Sequence, residues 1–273
     1  MEPFSTPIQL LLPLLGVCAG FFAGLLGIGG GIILVPLFLV LFKLLHYPPE
    51  LIVHAAFGTS LAIIMPTSLT STWSHRKHGN VVWPHVGPLV SGGVAGAFFG
   101  GSLAALIPGV WLKGCYGLML LVVGGSMFLK ASYLPPERST PVPLKQLLLV
   151  GSITGAFAAF FGGGGGIVAV PMMIYFLQLP AQLAVGNSSA LVVVSAIAGT
   201  ASYILHGWER TGLPAYSLGY VNLMVMLLVA PFAMIGARFG VKVAGRVSHD
   251  RLINIFAILL LLIGSRVLFV TFF

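Results

Sequence analysis

Apolar residues gather in eight blocks, near 8–45, 51–72, 82–106, 112–133, 144–178, 183–205, 216–240 and 251–272, with short polar or proline-bearing stretches between them. Six of these blocks have the length of one membrane-crossing helix, about 20 residues. The first block of each half is nearly twice as long, and a glycine run falls near its middle. One straight helix of that length would overshoot a hydrocarbon layer about 30 Å thick. Each long block therefore predicts two shorter helices joined at the glycines. The connections between blocks carry ordinary turn chemistry: Tyr47-Pro48-Pro49, His78-Gly79-Asn80, Ile107-Pro108-Gly109, and Pro135-Pro136 with Pro141 and Pro143 at the centre of the chain.

The two interrupting runs are near-copies. Gly27-Ile28-Gly29-Gly30-Gly31-Ile32-Ile33-Leu34-Val35-Pro36 aligns with Gly162-Gly163-Gly164-Gly165-Gly166-Ile167-Val168-Ala169-Val170-Pro171, identical at seven of ten positions. The likeness continues downstream. Phe57-Gly58-Thr59-Ser60-Leu61-Ala62 aligns with Val185-Gly186-Asn187-Ser188-Ser189-Ala190, and Gly96-Ala97-Phe98-Phe99-Gly100 with Gly236-Ala237-Arg238-Phe239-Gly240. The whole half is duplicated, which predicts a first transmembrane repeat over 1–134, an inter-repeat loop over 135–143 and a second repeat over 144–273.

Composition fixes the solvent. With 58% hydrophobic and 7% charged residues, the chain has too little polar surface to cover a water-soluble globule, and no soluble domain fits between the blocks. The first apolar run has no basic residues before it and no obvious cleavage site after it, so it reads as a retained span. Cys18 and Cys115 lie in apolar segments and read as packing residues. A net charge of +8 suits cytoplasmic loops facing anionic lipid and calls for no nucleic-acid partner.

Loop charges choose the topology. If each long block crossed the membrane once, Lys and Arg would divide almost evenly between the two sides. If each is a hairpin returning to its starting side, the halves are inverted. Arg76, Lys77, Lys130, Arg138, Lys145, Lys242, Arg246 and Arg251 then fall inside, and only Lys43, Lys113 and Arg210 outside. The excess of inner cations favours the second arrangement, with both termini outside. The expected fold is an all-α polytopic membrane protein of two inverted repeats, each a glycine-broken helical hairpin plus three transmembrane helices.

That geometry gives the glycines a task. Irregular backbone is tolerated at membrane depth only where protein buries it or it lines a wet cavity. Gly29, Gly30, Gly31 and Gly164, Gly165, Gly166 must therefore face a cavity or each other. The segments after them read as helix starts, with Pro36 and Pro171 placed in the first turn. Two helix N-termini would then aim free N–H groups at the middle of the membrane, a ready anion site; close helix packing is the plainer use of glycine, and fits pairs such as Gly92-Gly93 and Gly124-Gly125. All five acidic residues (Glu2, Glu50, Glu137, Glu209, Asp250) read as loop or terminal, leaving no carboxylate in a span for a cation or a proton relay.

Thr59 and Ser60 in one copy, and Asn187, Ser188 and Ser189 in the other, could complete an oxyanion's shell or join helix to helix. Thr67, Ser68, Thr70, Ser71, Thr72, Ser195, Thr200 and Ser202 could line a polar path, unless their own helices absorb them. Arg238 and Arg266 lie inside apolar blocks, and snorkelling explains both, though Arg238 could serve a site. His75 and His78 read as interface residues. The aligned pairs His78-Gly79 and His206-Gly207 could instead mark a gate. No metal-ligand set, cofactor motif or catalytic constellation is visible.

The doubled Gly-x-Gly-Gly-Gly-x-x-x-Val-Pro run, the Gly-Thr-Ser and Gly-Asn-Ser-Ser runs after it, and the overall length resemble the TauE/SafE sulfite exporter family, also called the toluene sulfonate uptake permease family. The resemblance covers nearly the whole chain. It implies a permease of the cytoplasmic membrane, not an enzyme, for small sulfur-containing anions such as sulfite, sulfoacetate or other sulfonates. Ile28 opposite Gly163 and Thr59 opposite Asn187 make the two half-sites unequal. The expected partners are the anion and the lipid bilayer, with homo-oligomerisation left open. A negative-inside potential favours anion export, and the lack of an intramembrane carboxylate argues against ion-coupled uptake. An anion channel and a non-transporting membrane scaffold are the rival readings.

Overall fold

The computed structural model describes residues 6–27, 29–130, 140–247 and 249–272. The described chain is a bundle of ten α-helices with one short π-helix and one two-stranded hairpin. The first half holds α1 (Thr6–Leu26), α2 (Gly31–Leu44), α3 (Pro49–Lys77), α4 (Trp83–Ala105) and α5 (Gly109–Lys130). The second holds α6 (Leu144–Phe160), α7 (Gly166–Pro171) continued by the π-helix Met172–Phe176, α8 (Ala181–Gly207), α9 (Leu223–Ala244) and α10 (His249–Phe272). Among the described residues six helices, α3, α4, α5, α8, α9 and most of α10, are long and apolar enough to cross a membrane, and the hairpin helices are shorter. The glycine-broken hairpins fall where the block lengths place them. Most of the inter-repeat loop, with Arg138, and position 28 lie outside the described residues.

Helix pairing exchanges the halves. α1 packs on α9 and α4 on α6, which is the same pairing with the repeats swapped, while α3 lies on α8 and α5 on α10. Directions follow from the contacts. Gly16, Gly20 and Gly24 meet Val229, Ala233 and Ala237 in ascending order, so α1 and α9 run parallel, as do α4 and α6 through Gly92, Gly96 and Gly100 against Leu148, Ser152 and Ala156. By contrast Gly117 meets Leu268 and Gly124 meets Leu260, and Ser71 meets Ser189 while Gly199 meets Leu61. Equivalent helices of the two repeats therefore run antiparallel, the relation that inversion requires.

The glycines of the parallel pairs work by close approach. A Cβ on Gly20 would lie 1.9 Å from the Ala233 carbonyl oxygen, and one on Gly96 2.0 Å from that of Ser152. Small residues every fourth position let the backbones touch, where apolar side chains facing lipid supply no preference for one helix over another. Gly92 meets the Leu148 carbonyl oxygen in the same way, Gly93 and Gly124 make their nearest contacts with side chains of α8 and α10, and nothing lies within 4 Å of a Cβ on Gly125. Outside, Phe98, Phe99, Trp111, Leu227, Phe239 and Leu262 stand exposed, as a lipid-facing surface demands.

Three local readings are corrected. Pro36 and Pro171 are the sixth residues of their helices, not first-turn residues, because a left-handed glycine starts each helix one turn earlier. After Pro171 the chain widens into the π-helix, one way to accommodate the carbonyl the proline ring displaces. Cys18 and Cys115 are free but exposed, since the outer face of a membrane helix is itself apolar and gives a small thiol as good a place as the core. Glu50 and Asp250 fall in the first turns of α3 and α10 and not in loops.

Candidate functional site

The two glycine turns meet. A Cβ on Gly31 would stand 2.5 Å from Gly163 Cα and carbonyl oxygen, so the backbones of the two repeats are in direct contact. Gly29 and Gly164, equivalent positions, both rest on the same two side chains, Ile64 of α3 and Val192 of α8, each near the middle of its helix. The turns thus lie deep in the bundle with Gly29, Gly30, Gly31, Gly164, Gly165 and Gly166 all buried. Gly30 (φ 88°) and Gly165 (φ 79°) hold left-handed conformations that a side chain strongly disfavours, and these cap α2 and α7.

Capping leaves donors over. The Gly30 carbonyl accepts from Ile33 and Leu34, and that of Gly165 from Val168 and Ala169. Among the described residues the amides of Gly31, Ile32, Gly166 and Ile167 have no hydrogen-bond partner. A buried N–H without a partner costs about 1–3 kcal/mol, so an acceptor brought between the turns would be strongly held. Hydroxyls stand by. Ser68 Oγ, fully buried and without a partner, would lie 3.1 Å from a Cβ on Gly29. Thr154, whose Oγ1 is equally buried and unpaired, presses its Cγ2 and carbonyl on Gly165. Tyr116, buried between Phe57 and Phe161, places its hydroxyl 3.4 Å from the Gly31 carbonyl oxygen.

The polar runs that follow the turns divide between roles. Thr59 and Asn187, the aligned pair, make the same bond at opposite ends of the bundle: Thr59 Oγ1 accepts from the Asn222 amide at 2.9 Å, and Asn187 Oδ1 from the Val82 amide at 2.8 Å. Asn222 and Val82 are the N-caps of α9 and α4. Each bond therefore latches a central helix to the start of its neighbour. Asn187 Nδ2 remains buried and unpaired. Ser188 donates to the Gly27 carbonyl at 2.9 Å and ties α8 to the first turn; its equivalent Ser60 is buried with no partner. Ser189 donates to Val185 and lies 3.1 Å from Ser71.

Along the expected polar path, Thr67, Thr70 and Thr72 donate to carbonyls in the preceding turn of α3 and are absorbed there. Ser202 lies 3.4 Å from His206, while Ser195 and Thr200 keep unpaired buried hydroxyls.

The cationic candidates do not join the turns. Arg238 is exposed on α9 and Arg266 on α10. His78 and His206 are exposed at the C-terminal ends of antiparallel helices, hence at opposite ends of the bundle. His75 is buried, not interfacial: its Nε2 donates to the Gly24 carbonyl at 3.1 Å, pinning the end of α1. In the other repeat Tyr203 stands at the equivalent place and reaches the Phe160 carbonyl at 3.5 Å. Tyr47, in the α2–α3 connection, accepts from Asn222 Nδ2 at 2.6 Å, and burial pushes its phenol above the usual range.

Sequence reasoning missed Thr154, Tyr116 and Asn222. Thr154 aligns with Ala19 and so has no repeat to flag it, and Tyr116 sits in an apolar block like any packing aromatic.

Residues 12–267 match the family described as Sulfite exporter TauE/SafE. A protein of Haemophilus influenzae named a probable membrane transporter protein is 28% identical, over 93% of this chain and 96% of its own length. Similar relatives occur in Methanocaldococcus jannaschii (28%, covering 89% and 90%) and Bacillus subtilis (24%, covering 95% and 97%), each likewise named a probable membrane transporter protein. No solved structure matches. With its multi-pass helical fold, doubled glycine turns and a match over nearly its full length, this chain belongs to the TauE/SafE sulfite exporter family.

Proposed function

We propose that the chain is a permease of the cytoplasmic membrane that exports small sulfur-containing oxyanions, sulfite or short sulfonates, by alternating access. The observation that carries this reading is the meeting of the two turns at mid-bundle, where each repeat supplies unpaired backbone amides and Ser68 holds an unpaired hydroxyl beside Gly29. An oxyanion is the ligand class that takes up several N–H and O–H donors at once, and a helix N-terminus adds roughly half a positive charge. The family's name, sulfite exporter, agrees with that ligand class.

Direction follows from charge. A negative-inside potential drives an anion outward with about 2.3 kcal/mol per charge per 100 mV, so a dianion leaves without a coupling ion. No carboxylate stands at mid-bundle among the described residues to bind a cation for uptake. Purified protein in liposomes loaded with sulfite tests this. Efflux should saturate, accelerate with a potential negative on the loaded side, and fall in Gly30→Leu and Gly165→Leu variants that still fold. Efflux that never saturates would point to a channel, and folded variants with full efflux would leave the turns without a transport role.

A further inference from the structure

At the end of the bundle where α3 begins, a cavity of about 540 Å³ opens between the first turn of α3, the α4–α5 connection and the segment joining α8 to α9. That volume is in the range of small-molecule sites. Its floor is the ring of His54 stacked on Tyr220, 5.1 Å between centroids, with the His54 Nε2 donating to the Ala104 carbonyl at 3.2 Å. Leu106 and Ile107 form an apolar wall. The remaining charged lining groups are one anion, Glu50, and one cation, Arg210, both exposed. Neither makes an ion pair with the other or with any described residue.

Opposite charges that share a cavity yet stay more than 4 Å apart suit a ligand that carries both. A simple anion meets Arg210 but also the repulsion of Glu50, and a simple cation meets the reverse. A dipolar molecule that spans the gap between them satisfies each end at once, with its chain against Leu106 and Ile107. From this juxtaposition we propose a second binding site, distinct from the glycine turns, for a dipolar ligand with a primary ammonium on Glu50 and a sulfonate, carboxylate or phosphate on Arg210. The guanidinium offers two parallel donors to such a planar or tripod oxyanion, and the carboxylate accepts from an ammonium. The source is either a free amino acid or aminosulfonate, or the headgroup of an ethanolamine phospholipid, which has the same two charges.

The site also touches the latch between Thr59 and Asn222. Tyr220, in its floor, lies two residues before Asn222, whose amide Thr59 holds, and its carbonyl would sit 3.0 Å from a Cβ on Gly58. A ligand in the cavity therefore bears on the joint between α3 and α9.

The test is thermal stabilisation of the purified full chain in detergent by 2-aminoethanesulfonate and 3-aminopropanoate, against ethanesulfonate, propanoate and ethylamine. The dipolar compounds should stabilise with a saturating dose response. Glu50→Gln and Arg210→Gln should each weaken it by roughly tenfold, the loss of one charged contact. Both residues are exposed, so the variants fold, and sulfite binding at the turns should be unchanged in them. Exchanging both charges, Glu50→Arg with Arg210→Glu, should restore dipolar binding that either reversal alone abolishes. Discs of ethanolamine lipid against choline lipid identify the source. If the free compounds bind in choline discs and not in ethanolamine discs, the headgroup is the resident ligand; equal binding in both discs makes the free compound the ligand. Equal stabilisation by dipolar and singly charged compounds, or variants without effect, would overturn the proposal. Loss of sulfite binding in turn variants that keep dipolar binding bears only on the transport site.

Discussion

Gly31 and Gly163 face each other across the meeting of the turns, and the structure gives opposite expectations for the same small change at each. A methyl group on Gly31 would lie 2.5 Å from Gly163 Cα and 2.6 Å from its carbonyl carbon. These are backbone atoms, and ordinary contact begins near 3.4 Å, so the turns must part by about 1 Å. Gly31 has helical φ, so alanine is not strained there in itself, and the cost is the separation of the repeats. A methyl group on Gly163 instead meets the flexible Cδ1 of Ile167 at 3.2 Å and a Tyr116 ring carbon at 3.9 Å. Overpacking against rigid backbone costs about 1–3 kcal/mol, whereas a terminal methyl gives way for a fraction of that. Thermal unfolding of purified Gly31→Ala should therefore drop clearly, with sulfite efflux from liposomes reduced by roughly tenfold or more if the turns bind the anion. Gly163→Ala should stay near the parent in both assays. Equal damage from the two substitutions, or none from either, would refute the claim that the turns are in backbone contact.

Ser68→Ala removes a buried, unpaired hydroxyl, so thermal stability should hold or rise by up to about 1 kcal/mol while sulfite affinity falls; unchanged affinity would remove Ser68 from the site. Thr59→Val and Asn187→Leu each orphan an N-cap amide at 2.8–2.9 Å and should cost about 1–3 kcal/mol, measured by thermal unfolding, with either variant at parental stability counting against the latches. Single cysteines at Lys77 and Arg246 should react with a membrane-impermeant maleimide from the cytoplasmic side and one at Arg210 from the other side, in a chain whose Cys18 and Cys115 are changed to Ser; labelling of all three from one side would reject the inverted arrangement. Ile64→Ala empties the contact shared by Gly29 and Gly164 and should raise passive anion leak through liposomes, measured by dye quenching, without loss of fold.

The hairpins and their duplication were legible because each depends on a local property, block length and the glycine run, that survives in one sequence. The antiparallel relation of equivalent helices was legible because Lys and Arg are rare enough here for their placement between the blocks to carry weight. The exchange of α1 onto α9 and of α4 onto α6 was not, although its agents, Gly16, Gly20, Gly24 and Gly92, Gly96, Gly100, are visible at four-residue spacing. Such a stripe announces a close helix partner and never says which one. The same limit hid the latches. Thr59 and Asn187 read from the sequence as aligned polar residues that could serve the anion or join helix to helix, but their partners are single backbone amides far along the chain, a feature of tertiary structure alone. The hairpin of β1 (Ser217–Leu218) and β2 (Val221–Asn222), which places Asn222, falls within the block read as helix over 216–240.

That exchange decides which parts can move. With α1 locked to α9 and α4 to α6 through backbone contacts, neither repeat can shift as a unit without tearing a glycine interface. The bodies that remain rigid are the mixed pairs, and they flank the crossed helices α3 and α8. The α1–α9 pair carries Asn222 at one end of the bundle and, at the other, the Gly24 and Gly27 carbonyls held by His75 and Ser188. The α4–α6 pair carries Val82, held by Asn187, and the Phe160 carbonyl held by Tyr203 at the opposite end. In this structure the latches at both ends are made and the glycines of both turns are buried. Under the proposed alternating access, a mixed pair would slide on α3 and α8, breaking the bonds at one end while those at the other persist. On that proposal, Thr59 and Asn187 serve opposite ends, so removing one should bias the opening toward its own side. The acceptors are unequal, a hydroxyl at one end and an amide at the other, so the two variants should differ in the size of that bias within an otherwise repeated frame.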